Sequence, residues 1–140
     1  MKLFYRTLFL TGFLAVSSFA VDADHQRGRF TPDQLVMIDA ETVAHMIEEK
    51  QLKKREFQLV DLRLEVDFEK GSIPGALNIP LKKLSFMADQ VLKPSDEIIC
   101  YGYSKDDKAS VNAVILLINK GYQKVFLLEG GFKDWKMIST

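Results

Sequence analysis

From Leu35 to Met137 the apolar residues change period repeatedly, and each change marks an element. Val36 to Ile38 predicts a short strand. Asp39 then suits a helix N-cap, and Val43, Met46 and Ile47 share one face of a helix over Glu41 to Gln51. His45 points away from that face, which makes it a surface residue. Phe57 to Leu62 reads as a strand, Ala76 to Ile79 as another short one, and Leu81 to Leu92 as a weaker helix. Glu97 to Tyr101, EIICY, has the near-continuous apolar character of a buried strand. Ser110 to Lys120 carries the clearest helical stripe, Val111, Val114, Ile115 and Ile118, with Gly121 as its C-cap. Lys124 to Leu128 is a fifth strand, Gly130-Gly131 a turn, and Phe132 to Met137 a last helix. This alternation predicts an α/β fold: a mostly parallel five-stranded sheet with helices on both faces.

The first twenty residues follow a different pattern. Lys2 and Arg6 precede an apolar run from Leu8 to Val16, and Ser18 and Ala20 are small, as a signal peptidase requires. A helix from Leu8 to Ala20 would span only about 20 Å, against a hydrocarbon core of ~30 Å. Residues 1–20 therefore read as a secretory signal peptide, cut after Ala20 or Ala23. No stable membrane anchor is expected after cleavage, and a bacterial host would place the mature protein in the periplasm. Residues 21–33 are polar, contain Gly28 and Pro32, and form a linker in which His25 is solvated. The folded domain then occupies residues 34–140.

Composition narrows the choice without deciding it. An apolar content of 47% and a charged content of 27% fit an ordinary globular domain. Nineteen basic and nineteen acidic side chains cancel, so the basic footprint of a nucleic-acid binder is missing. No cluster has metal-ligand spacing.

Candidate chemistry centres on the single cysteine, Cys100. In open α/β sheets, ligands bind beyond the carboxyl ends of strands. Cys100 is placed at such an end, and its loop runs straight into a helix. Loop amides and the helix N-terminus can both stabilise a thiolate or an anion bound to it. Gly102 gives that loop conformational freedom. The competing reading is a small buried hydrophobe, as free cysteines often are. A lone thiol in an oxidising compartment favours use over packing.

These residues resemble a known family. VDLRLEVDFEKGSIPGALNIP, Val60 to Pro80, is similar to the Asp-x-Arg and Gly-His-Ile-Pro-Gly-Ala segment of single-domain rhodanese-like proteins, the sulfurtransferase superfamily. IICY resembles that family's active-site strand. KGYQKVFLLEGGFKDW, Lys120 to Trp135, resembles its closing segment. The resemblance covers roughly Asp39 to Lys136. It implies that Cys100 attacks a sulfane donor such as thiosulfate or a polysulfide, holds a persulfide, and passes sulfur to a thiol or protein acceptor. It further implies a substrate loop formed by Tyr101, Gly102, Tyr103, Ser104, Lys105 and Lys108, supported by an Asp61–Arg63 pair. No metal or organic cofactor is implied.

The sequence also departs from that pattern. Many active rhodaneses carry an arginine in the loop, and none occurs between Cys100 and Val125. Lys105 and Lys108 offer point charges instead. Asp106 and Asp107 oppose an anionic substrate, unless one of them caps the following helix. Asp106 also stands where related phosphatases place their arginine, which argues against phosphoryl chemistry. The histidine before Ile-Pro-Gly is Ser72. The expectation is an exported sulfurtransferase working through Cys100, with a non-turnover persulfide carrier or an inactive scaffold as the alternative.

Overall fold

Short apolar runs joined by amphipathic helices leave the chain few ways to bury its surface, and a helix-covered parallel sheet is the economical one. The computed structural model describes residues 34–140 and has this architecture. The signal peptide and linker expected over residues 1–33 lie outside the described residues. In chain order the elements are β1 (Met37–Ile38), α1 (Ala40–Gln51), β2 (Gln58–Asp61), α2 (Glu65–Glu69), β3 (Leu77–Asn78), α3 (Leu84–Val91), β4 (Glu97–Tyr101), α4 (Lys108–Asn119), β5 (Lys124–Leu128) and α5 (Gly131–Ile138). A 3-10 turn over Leu81–Lys83 leads into α3. The sheet order is β1-β5-β4-β2-β3, and every pairing is parallel. Among the described residues no helix is long and apolar enough to cross a membrane.

The central strand β4 divides the core. Its side chains alternate, as the pleat requires. Ile98 and Cys100 face one layer with Val60, Leu84, Ala113, Val114 and Leu117, under α3 and α4. Ile99 and Tyr101 face the other layer with Val43, Met46, Leu59, Leu128 and Trp135, under α1 and α5. Both layers are closed, which is why EIICY reads as an unbroken apolar run.

Three details differ from the sequence expectation. Helix α4 starts at Lys108, two residues early, because Asp107 is the cap: its Oδ1 accepts from the Ala109 amide at 3.0 Å. The face of α4 most deeply buried is Ser110, Ala113, Val114 and Leu117, one residue away from the predicted stripe. Small Ser110 and Ala113 let the helix lie close to the sheet, while Val111 and Ile118 pack at the margin. Helix α2 was not expected; it has five residues, none buried, and so no apolar period to read. At α1 the expectation holds: Asp39 Oδ1 accepts from the Thr42 amide at 2.7 Å. His45 is on the surface, with its side chain 71% exposed.

Candidate functional site

Parallel strands all end at one edge, so the loops after β2, β4 and β5 converge there. The β4–α4 loop, residues 102–107, lies at the centre. The Tyr101 carbonyl accepts from the Leu62 amide at 2.9 Å, tying it to the loop after β2. The Gly102 and Tyr103 carbonyls accept from the amides of Phe132 and Lys133, both at 2.9 Å, so the loop rests on the first turn of α5. Gly131 is required at that contact twice over. Its φ is +61°, and a Cβ would come within 2.7 Å of the Gly102 carbonyl oxygen.

Cys100 does not occupy the loop. It lies inside β4, in register between Val60 of β2 and Leu127 of β5, and it is 0% exposed. Burial alone pushes its thiol up to about 12 from an ordinary 9.0. Apolar neighbours disfavour the thiolate because nothing there replaces its hydration. The expectation that the loop amides gather round this sulfur is therefore corrected: the strand runs one residue beyond it and its side chain turns into the core. Tyr101 is likewise not a loop residue. It ends β4, points into the opposite layer, and its hydroxyl accepts from the Ile73 amide at 3.2 Å. Burial, then its contact with Asp61, raises the Tyr101 phenol above the usual range. Lys108 is the first residue of α4 and is exposed.

The position that does face the N-terminus of α4 is Gly102. A Cβ built there would collide with Asp107 Oδ2 and Ser110 Oγ. The Ser110 hydroxyl donates to Asp107 Oδ2 at 3.0 Å, so one carboxylate serves both a backbone amide and a side chain at the mouth of the helix. The place where an exogenous anion would meet the helix dipole holds an anion of the chain itself. Tyr103, Lys105 and Asp106 are the exposed loop residues, with Tyr103 59% exposed, and Ser104 is half-buried.

Asp61 and Arg63 form a buried pair beneath this edge. Asp61 is fully buried and the Arg63 side chain is 8% exposed. The guanidinium donates to Asp61 through Nε at 3.0 Å and Nη2 at 2.6 Å, and Nη2 also donates to the Gly71 carbonyl at 2.7 Å. It lies 3.9 Å from the Phe132 ring centroid. With all these partners engaged, Arg63 fastens the turn at residues 71–75 to α5. Among the described residues, no three His, Cys, Asp or Glu side chains converge on a point that could hold a metal ion.

Sequence reasoning missed the surroundings of the loop. A hollow of about 250 Å³ is lined by Gly102, Ser104, Asp107, Ser110 and Glu129. A groove of about 540 Å³ lies on the other side of Tyr103, lined by Leu62, Leu64, Leu81 and Lys82. Residues so far apart in the chain meet only through the strand order.

Comparison with known proteins places this geometry. The family model for the rhodanese-like domain matches residues 39–138. An uncharacterised protein of Bacillus subtilis, YqhL, is 36% identical over 81 residues, 58% of this chain, which spans only 62% of that relative's length. A protein named sulfurtransferase from Allochromatium vinosum is 28% identical over 98 residues, covering 70% of this chain and 85% of that one. The solution structure of the rhodanese-like domain of Alr3790 from Anabaena superimposes with a TM-score of 0.64 at 28% identity, covering 78% of this chain and 76% of that domain.

Proposed function

Because this chain belongs to the rhodanese-like domain family, we propose that it is a binding domain built on a sulfurtransferase fold, in which Cys100 does not turn sulfur over. One observation carries this reading. The only thiol is fully buried within β4, while Gly102, the residue facing the mouth of α4, has no side chain to react. A sulfane donor has to bring its outer sulfur to a thiolate, and a persulfide then needs space for one more sulfur atom. Cys100 offers neither the charge nor an opening. The Asp107 carboxylate beside Gly102 also repels an anionic donor. Incubation with thiosulfate and cyanide tests the proposal, followed by thiocyanate release and intact mass. No thiocyanate above the level of a Cys100→Ala variant is expected, and no added sulfur. Turnover or a sulfur adduct that disappears in that variant overturns the reading.

The likeness to the Allochromatium vinosum sulfurtransferase favours a second reading. In it, opening of the loop exposes Cys100, which takes sulfane sulfur from thiosulfate or a polysulfide and hands it to a thiol or protein acceptor. The same experiment decides between the two.

We also infer export. Lys2 and Arg6 ahead of the Leu8 to Val16 run support a signal peptide removed after Ala20 or Ala23. N-terminal sequencing of protein from an exporting bacterial host is expected to begin at Val21 or Asp24. Retention of Met1 in the exported fraction refutes it.

A further inference from the structure

The face at the strand ends has a charge pattern that an anionic substrate does not fit. The hollow beside Gly102 adjoins a second one of about 350 Å³, since Lys105 and Glu129 line both. Six carboxylates border the pair: Asp39, Glu41, Asp106, Asp107, Glu129 and Asp134. Lys105 is the one cation among their lining residues. Asp39 and Asp107 are engaged as helix caps. Among the described residues Glu41, Asp106, Glu129 and Asp134 enter no ion pair. The whole chain is neutral, so this acidity is concentrated locally.

Beside it runs the groove under Tyr103. Its apolar wall includes Leu64, 55% exposed, and Tyr103, 59% exposed. Arg63 in that groove is neutralised by Asp61, and Asp67 and Lys82 offset one another. Tyr103 faces the groove while Ser104 lines the acidic hollow, so the two sites adjoin across one peptide bond. A segment of about six extended residues is roughly 20 Å long.

We propose that this face docks a basic, apolar-bearing segment of a partner protein, with a bulky apolar side chain in the groove under Tyr103 and Lys or Arg over the acidic hollows. The inference rests on the reading of the domain as a binding module. A small cation answers the acidity but leaves Leu64 and Tyr103 open to water. A purely apolar segment leaves the carboxylates unmatched. A segment carrying both features satisfies both, and its electrostatic share weakens with salt.

The probe is a capped hexapeptide of alternating Leu and Lys, titrated into labelled full-length mature protein and followed by amide chemical shifts. Shifts are expected at Leu64, at residues 103–107 and at Glu129, with affinity falling about tenfold as salt rises to ~0.5 M. Glu129→Lys and Leu64→Asp each alter an exposed residue and are expected to weaken binding about tenfold, with an unchanged circular dichroism spectrum. Equal binding of a Leu/Glu peptide overturns the proposal. So does equal binding of a Ser/Lys peptide, which would show charge attraction without the groove. Absence of binding, or shifts confined to another face, overturns it as well. Thiocyanate turnover would instead refute the binding-module reading, so the two failures are distinguishable.

Discussion

A thiol set between Val60 and Leu127 stays protonated, because the neighbouring strands supply apolar contact and no charge. With its value pushed up to about 12, roughly one molecule in ten thousand holds a thiolate at pH ~8, against about one in ten for an unperturbed thiol at 9.0. Iodoacetamide is therefore expected to alkylate Cys100 at least about a hundredfold more slowly than free cysteine at that pH. Full denaturation should restore the ordinary rate. A folded protein that reacts as fast as free cysteine would show that the loop opens readily, and would favour the sulfur-transfer reading. The strand was legible as far as Tyr101, but that Cys100 shares the core face of Ile98, out of reach of the loop amides, was not. One residue, Tyr101, separates the buried sulfur of Cys100 from Gly102 at the helix mouth. An apolar run buried on both faces does not show which layer each of its side chains enters.

Helix α4 shows how one polar residue sets both a boundary and a site. KDDKAS is polar throughout, so periodicity could not choose the first helical residue. The choice is made by Asp107, which satisfies the Ala109 amide and receives the Ser110 hydroxyl. Asp107→Ala removes that cap and leaves the buried Ser110 hydroxyl without its acceptor. A loss of about 1–2 kcal/mol is expected, read as a lower urea midpoint at unchanged slope. An unchanged midpoint would mean that the carboxylate contributes nothing to helix initiation. Asp39 shows the readable case: there the cap directly follows an apolar strand and precedes a clear helical stripe, and the predicted boundary is off by one residue. The face of α4 was harder, because the residues nearest the sheet are its smallest. Ser110 and Ala113 carry little hydrophobic signal although they are buried. Arg63 was visible as half of an Asp-x-Arg motif. Its hold on Gly71 and Phe132 depends on contacts that local sequence cannot express.

Across the molecule, alternation of strand and helix made a parallel sheet legible, while the order β1-β5-β4-β2-β3 was not, because crossover length does not state which neighbour a strand joins. That order creates a core with three weak acids held neutral: Cys100 up to about 12, Tyr122 up to about 12, and Tyr101 raised above its usual range. Burial is the leading cause at each, and Tyr122 also donates its hydroxyl to Asp89 at 3.0 Å. The unfolded chain releases these protons from about pH 9 to 10, whereas the folded chain keeps them to about 12 or beyond. Above about pH 9 the unfolded state therefore binds fewer protons than the native state, and stability falls as pH rises. Each group adds at most about 1.4 kcal/mol per pH unit to that slope within its window. Urea midpoints are expected to vary little from these acids between about pH 7 and 8.5, then decline steeply from about pH 9.5. Cys100→Ala deletes one of the three acids and should make the alkaline decline shallower by up to about a third, whatever its cost at neutral pH. A decline as steep in Cys100→Ala as in the parent would mean that the thiol ionises equally in both states. Such a result would remove the physical basis for reading it as a sealed core residue.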